Sequence, residues 1–169
     1  MKSINNIFKK VCILAVVASM AGCDMLDTKP YDFVAPETFY KNETDCTMAL
    51  AGVYWTMAAE HVYGNRYSCM LSNIDDLSYY YRQNQTSAVV ANSHNTGNTD
   101  LWNTWEALYS GINNANVLLD NIDGASISDD KVKTRIKGEA KFLRAYYHFL
   151  LVQGWYEVPI RKETVKDIT

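Results

Sequence analysis

A run of aromatic and amide side chains near the middle of the chain has the composition of a site for a polar ligand, of which sugars are one class. Residues 79–85 read YYYRQNQ. Flat aromatic rings cover the apolar faces of sugars, and amide and guanidinium groups satisfy hydroxyls that are costly to bury unpaired. The candidate ligand-binding residues are Tyr79, Tyr80, Tyr81, Arg82 and Asn84. The alternative is that the three rings, which a helix would point in three directions, fill the core and its rim.

A second position with its own chemistry is Cys23, near the start of the chain. Lysines within the first ten residues are followed by an apolar run at 11–20 and by the small residues Ala21 and Gly22. This order is typical of a secretory signal, and the run is shorter than the ~20 apolar residues of a membrane span. Cys23 directly follows the expected cleavage site of this signal, which predicts that its sulfur carries a lipid. One residue departs from the usual motif, because Met20 stands where Leu is common. The alternative is an ordinary signal peptide.

The other reactive side chains do not form a catalytic or metal-binding pattern. Asp75 and Asp76 are adjacent and point apart, whereas glycoside hydrolysis needs two carboxyls that face each other across about 5–9.5 Å. His61, His94 and His148 have no metal-ligand spacing. The sequence also has no P-loop, nucleophile elbow or dinucleotide fingerprint. We therefore expect a protein that is not an enzyme and that needs no metal or cofactor.

Charge and composition limit the partners. The net charge is −3, and it becomes −6 once a leader with its lysines is removed. A basic patch for nucleic acid or for anionic lipid is therefore not expected. Beyond the leader, Cys46 and Cys69 would lie in a compartment that permits disulfides. They are either two buried apolar side chains or a bridge.

Apolar periodicity predicts an all-α protein. Helices are predicted at 37–60, at 70–81, at 99–122, and from just after 126–130 to near Gly154. The third has a continuous apolar seam. Its members are Leu101, Trp105, Leu108, Ile112, Ala115 and Leu119. Because a short turn joins the last two helices, they predict an antiparallel hairpin.

The ends of this hairpin have recognisable signals. Gly124 is expected to end the third helix in a left-handed conformation, and Ser128 is expected to cap the fourth. The fourth helix is apolar on two sides, and its second side carries Phe142, Tyr146 and Phe149. Because nothing in this chain is expected to cover that side, we interpret the chain as the N-terminal portion of a longer protein or as a truncated gene product.

Several polar residues lie among apolar ones in the hairpin. Asn residues are mildly unfavourable inside a helix, so Asn113, Asn114 and Asn116 are expected to clamp the backbone of a neighbouring loop. A contact with a partner protein is the alternative. Arg144 should bind a carboxylate or a backbone carbonyl. His148 should be a satisfied interior or edge residue.

Three stretches of the sequence occur together in a characteristic order. They are CDMLDTKP at 23–30 with ETFYK at 37–41 and ALAGVY at 49–54, YSGINNANVLL at 109–119, and GEAKFLRAYYHF at 138–149 followed by Val158-Pro159. Behind a lipid-attachment motif, this set resembles the SusD/RagB family of outer-membrane nutrient-binding lipoproteins. The family usually has Gly-Asp where Tyr156 and Glu157 stand. If that glycine serves a left-handed turn, the chain is expected to turn another way at Tyr156.

The resemblance implies a fold, a location and a role. It implies tetratricopeptide-like helical hairpins behind an extended tether, anchored by lipid to the outer face of the outer membrane. It also implies non-catalytic capture of glycans, or of other nutrient oligomers, and delivery to a SusC-type TonB-dependent channel. We expect a signal peptide at 1–22, a tether at 23–36 and a helical domain at 37–169. The alternatives are a protein-binding scaffold lipoprotein without glycan binding and, less favoured, a surface glycosidase.

Overall fold

The structure, a computed structural model, describes residues 39–73, 77, 88–89 and 93–165. These residues form α-helices joined by turns, with one isolated bridge pair between Asn42 and Ser126. The predicted all-α class is confirmed. The predicted signal peptide, the tether and Cys23 lie outside the described residues. None of the described helices is both long enough and apolar enough to cross a membrane.

The first described helix, α1, spans Glu43–Ala58 and begins at a side-chain cap. Asn42 Oδ1 accepts the backbone N–H of Asp45 at 3.0 Å, which satisfies one of the donors left open in a first turn. The acidic residues of that turn favour the positive end of the helix dipole. The prediction of one continuous helix from 37 is wrong, because Asn42 has an extended backbone and starts the helix anew.

A π-type turn at Glu60–Gly64 joins α1 to the short helix α2, which spans Arg66–Asn73. The predicted start of this helix at 70 is wrong, and much of its predicted second half lies outside the described residues. The buried Tyr67 explains the earlier start. Its hydroxyl donates to the carbonyl oxygen of Leu150 at 2.9 Å, a long-range contact that local periodicity does not contain.

The third helix, α3, spans Thr99–Asn121 and confirms the predicted helix at 99–122. Asn98 Oδ1 caps it by accepting the backbone N–H of Leu101 at 3.0 Å. The predicted seam faces the core. Leu108, Ile112 and Ala115 are fully buried, and Leu101, Trp105 and Leu119 are partly buried against them.

The end of α3 differs from the prediction. The chain tightens into a 3₁₀ turn at Ile122–Gly124, and the backbone N–H of Ala125 donates to Ile122 O at 3.2 Å. The expected left-handed conformation at Gly124 is wrong, since no described glycine has a positive φ. The buried Ile122 side chain holds this turn against the core instead.

The fourth helix, α4, spans Asp130–Trp155. Its cap is Asp129, whose carboxylate accepts the backbone N–H of Lys131 at 2.8 Å, so the expected cap at Ser128 is wrong by one residue. A carboxylate accepts a hydrogen bond and also carries negative charge to the positive end of the helix, which a hydroxyl does not.

Helices α3 and α4 form the predicted antiparallel hairpin. At one end, the rings of Trp105 and Trp155 meet with centroids 5.4 Å apart. At the other end, Lys137 Nζ lies 2.8 Å from the carboxylate of Asp123. Helix α1 crosses this hairpin, and the hydroxyl of the buried Tyr147 donates to Val53 O at 2.6 Å.

The two apolar sides of α4 have different surroundings. One side, which includes Ile136, Leu143 and Leu151, is fully buried. The other side leaves Phe142 66% and Phe149 53% exposed. These two rings agree with the expectation that the second side lacks a cover among the described residues. Tyr146 on the same side does not, because it is partly buried and its hydroxyl lies 2.6 Å from that of Tyr63. Of the two cysteines, Cys46 is buried and Cys69 is exposed, and no disulfide joins them.

Tyr147 gives the fold a defined response to high pH. Burial raises the pKa of its phenol from the usual 10.0 to about 12. Because the folded pKa lies above the unfolded one, the stabilisation is complete below about pH 10 and is lost as the pH rises towards about 12. Chemical denaturation across this pH window should therefore show falling stability. Tyr147→Phe, which has no phenol to ionise, should show a shallower fall, and an equal slope would contradict this assignment.

The turn after α4 places a tyrosine in a strained backbone conformation. Tyr156 has φ 65° and ψ −82°, and it is the one non-glycine residue with positive φ among those described. The family that the sequence resembles usually has Gly at this position. The expectation that the chain turns another way at this residue is therefore wrong, because Tyr156 itself adopts the positive φ. For a non-glycine residue this strain costs on the order of 1–3 kcal/mol.

Replacing Tyr156 with glycine is expected to stabilise the protein by about 1 kcal/mol. The gain is the relieved strain, reduced by the greater freedom of glycine in the unfolded chain. The Tyr156 side chain is exposed, so little packing is lost. Glu157→Gly, one residue along and outside the positive-φ region, should be destabilising in the same denaturation assay. Equal effects of the two substitutions would contradict the strain assignment.

Candidate ligand groove

The ligand-binding residues proposed from the sequence, Tyr79, Tyr80, Tyr81, Arg82 and Asn84, lie outside the described residues. Their role stays a prediction. The described part of the chain contains a different surface with the same kind of chemistry, on the outer side of α3.

Two neighbouring cavities share Trp102 and Trp105, and together they form what we call the tryptophan groove. The larger, the α3 lobe, has a volume of about 620 Å³ and extends along the helix to Tyr109. The smaller, the 94–96 lobe, has a volume of about 380 Å³ and reaches the end of α4 at Trp155. Steps of three and four residues bring the rings at 102, 105 and 109 to neighbouring positions on one helix face.

Trp105 is held in place by rings on both sides. Its centroid lies 4.9 Å from that of Tyr109 and 5.4 Å from that of Trp155, distances typical of favourable aromatic pairs. Trp102 differs, because 64% of it is exposed. The groove thus combines one fixed indole with one indole that presents its surface to solvent.

The far wall of the α3 lobe is the segment 159–165, which has no regular secondary structure. Side chains of the hairpin hold its backbone. Asn116, only 1% exposed, donates through Nδ2 to Glu163 O at 2.9 Å. Asn113 Oδ1 accepts the backbone N–H of Val165 at 3.1 Å. The prediction that these asparagines clamp a neighbouring loop is confirmed for both.

Arg144 and His148 on α4 complete this clamp. Arg144 Nη1 donates to Lys162 O at 3.0 Å and to Asn116 Oδ1 at 2.8 Å, which confirms the expected backbone-carbonyl partner. The backbone N–H of Arg161 donates to His148 Nε2 at 3.1 Å. Nε2 is therefore the acceptor nitrogen, and the proton lies on Nδ1, 2.8 Å from Arg144 O. His148 is buried and satisfied, as expected.

Polar groups surround the aromatic floor of the groove. The Tyr109 hydroxyl donates to Pro159 O at 2.8 Å, and the Arg161 guanidinium lies 5.9 Å from the Tyr109 ring centroid. Burial raises the pKa of the Tyr109 phenol above its usual 10.0, although the nearby Arg161 opposes this rise. Glu106 also lines the α3 lobe, whereas His94, Asn95 and Thr96 line the smaller one.

This arrangement is able to stack flat apolar faces and to exchange hydrogen bonds with hydroxyls. Within the described ranges, no group of three or more His, Cys, Asp or Glu side chains is placed to hold a metal ion. The sequence predicts Trp105 as a member of the apolar seam of α3 and assigns no site to Trp102 or Tyr109. The missed signal was the 102, 105, 109 spacing of large aromatic residues, of which the first lies on the exposed side of the seam.

Comparisons with known proteins point in one direction. The model of a SusD-like family, described as starch-binding and associating with the outer membrane, matches residues 24–169. SusD-like protein P25 of Formosa agariphila is 30% identical over 158 residues, which cover 88% of this chain and 30% of that protein. SusD-like protein P2 of the same organism is 26% identical over 165 residues, or 94% and 32% of the two chains. The chain thus spans about a third of these relatives. No solved structure matches it.

Proposed function

The chain belongs to the SusD-like family, and from this premise we propose that it is a surface lipoprotein that captures glycans. In this proposal it binds glycans, or other nutrient oligomers, without cleaving them. It then passes them to a SusC-type TonB-dependent channel in the outer membrane. The helical hairpin and its clamped segment provide the scaffold on which the ligand site is built.

The observation that carries the proposal is the chemistry of the tryptophan groove. Exposed and half-buried indoles lie beside carboxylate, guanidinium, amide and hydroxyl groups in two cavities of about 620 and 380 Å³. Ligand sites of about 300–1,000 Å³ that combine apolar walls with a few polar groups are typical of small-molecule binding. Sugars need both parts of this combination. The candidate residues at 79–84 remain a separate proposal for glycan contact.

The anchor in this proposal is a lipid on Cys23. Attachment to the membrane would hold the chain beside its channel partner and raise its effective concentration there. The organisation into a signal peptide at 1–22, a tether at 23–36 and a helical domain from 37 belongs to the same proposal. Mass spectrometry of the membrane-purified chain should show a diacylglycerol thioether on Cys23. An unmodified thiol there would contradict the anchor.

A protein-binding scaffold without glycan binding is the second candidate, and one observation favours it. Phe142 and Phe149 are more than half exposed on α4, and large exposed apolar surfaces often mark protein contacts. This surface is separate from the residues that line the groove. Glycan capture and protein binding are therefore compatible in one molecule. Retention of glycans by the chain tests whether it captures them.

A glycan-array screen of the full-length chain tests the proposal, with the bound glycans recovered and analysed. Retention of glycans that are recovered intact is the expected result. Absence of retention would leave the protein-binding scaffold and contradict glycan capture. Recovery of shortened glycans would indicate a surface glycosidase and would contradict the non-catalytic role.

A further inference from the structure

The tryptophan groove has features that specify the ligand more closely than its family membership does. We infer that its two lobes form one continuous site for a neutral oligosaccharide of at least two rings, with Trp102 as the shared stacking platform. This inference rests on the proposed glycan capture. It assigns that capture a place and a ligand class.

The first step is the division of the groove into two lobes around shared indoles. Trp102 and Trp105 line both cavities, so a ligand that crosses from one lobe to the other must pass over them. Each lobe by itself, at about 620 and 380 Å³, falls in the size range of a small-molecule site. A single sugar ring would occupy one lobe and leave the other empty, whereas an oligosaccharide fills both.

The second step is that both lobes offer hydroxyl partners. In the 94–96 lobe, Asn95 Oδ1 accepts the backbone N–H of Gly97 at 2.9 Å, which orients the side chain and leaves its amide N–H groups as donors. Thr96 adds a hydroxyl. In the α3 lobe, Glu106 accepts and Arg161 donates. Because sugar hydroxyls both donate and accept, both lobes suit them.

The third step is the charge balance. The α3 lobe has one carboxylate and one guanidinium among its lining residues, Glu106 and Arg161, and the 94–96 lobe has no lining Asp, Glu, Lys or Arg. The whole chain is acidic, with a net charge of −3. Sulfated or uronic-acid chains would need an excess of Lys or Arg, so this balance favours neutral sugars.

The fourth step is that the site is built before the ligand arrives. Trp105 is fixed between Tyr109 and Trp155, and the Tyr109 hydroxyl is bonded to Pro159 O at 2.8 Å. The clamp from Asn116 holds the far wall. A preformed site avoids the entropy cost of ordering on binding. The exposed Trp102 is the part of the floor that remains open for stacking.

Calorimetry with the full chain tests the inference, using neutral probe series built from α-linked glucose, β-linked glucose, xylose or mannose, each from the single sugar upward. For a series that binds, affinity should rise from the single sugar to the short oligomer and then level off. Trp102→Ala should weaken oligosaccharide binding about tenfold, because a stacked ring contributes about 1.4 kcal/mol. Trp102→Phe should retain most of the affinity.

Trp55→Ala is the matched control, since Trp55 is 71% exposed on α1 and does not line the groove. It should leave binding unchanged. Glycan binding that Trp102→Ala and Trp55→Ala affect equally would overturn this site and leave the proposed function standing. A single sugar that binds as tightly as its oligomer, or tighter binding of sulfated counterparts of the probes, would overturn the ligand class. No binding of any glycan would overturn the proposed function as well.

Discussion

Replacing Asn116 with alanine is expected to release the segment 159–165 and to lower the free energy of unfolding by about 3 kcal/mol. The substitution removes the hydrogen bond to Glu163 O and the Oδ1 acceptor for Arg144 Nη1. Because the Asn116 side chain is only 1% exposed, both groups lose these bonds at a site that water reaches poorly. Buried polar groups left unpaired cost about 1–3 kcal/mol each. Denaturant unfolding measures the loss, and amide hydrogen exchange should show lost protection at Val165.

Asn114→Ala is the matched control, because Asn114 is the same residue type on the same helix but is exposed. It should change stability by at most about 0.5 kcal/mol, since alanine is the better helix former. If both alanine variants had the same stability and the same exchange at Val165, the clamp would not be what holds the wall of the groove.

Replacing Gly111 with alanine is expected to destabilise the protein by about 3 kcal/mol. A Cβ at this position would lie 2.6 Å from Thr56 Cγ2 and 2.9 Å from Tyr147 Cε2, far inside contact distance. The clash occurs where α1 crosses the hairpin, between buried side chains with little room to move. Overpacking of a core costs typically about 1–3 kcal/mol. Thermal or denaturant unfolding measures the effect.

Gly138 supplies the control within the same hairpin. It is exposed on α4, and a Cβ there would have nothing within 4 Å, so Gly138→Ala should stabilise by about 0.5–1 kcal/mol through helix propensity alone. Adding Thr56→Ala to Gly111→Ala should recover part of the loss, as expected of directly coupled sites. Stabilisation by Gly111→Ala itself would show that α1 does not pack closely on the hairpin.

The hairpin could be predicted from the sequence because its signals are local. The seam of α3 repeats at helical spacing through Leu108, Ile112 and Ala115, and all three prove to be buried. The identity of the N-cap residue of α4 was harder to predict, since neighbouring polar side chains are all able to accept a backbone N–H of the first turn. The structure has Asp129 as the cap, one residue after the predicted Ser128.

The first half of the fold depended on contacts that periodicity does not show. Asn42 interrupts the predicted first helix because its backbone is extended. Tyr67 lies in α2, before its predicted start, and its hydroxyl donates to Leu150 O on a distant element. Neither event follows from apolar spacing. Long-range hydrogen bonds therefore decided boundaries that local patterns left open.

The groove was hidden from the sequence for a related reason. Its far wall, 159–165, has no regular structure, and its position depends on side chains of two other elements. Reasoning about buried polar groups did predict that Asn116 and Arg144 would bind backbone. It could not tell that the bound segment would lie across from Trp102 and close a cavity.

Binding of a fluorescent neutral oligosaccharide to intact host cells tests surface capture most directly. Cells that carry the full-length chain should retain the probe, and the probe should be recovered intact. Cys23→Ser, which removes the thiol that accepts lipid, should abolish retention at the cell surface, and Trp102→Ala should weaken it about tenfold. Unchanged retention by cells carrying Cys23→Ser, or no retention by cells carrying the unaltered chain, would contradict the proposed role.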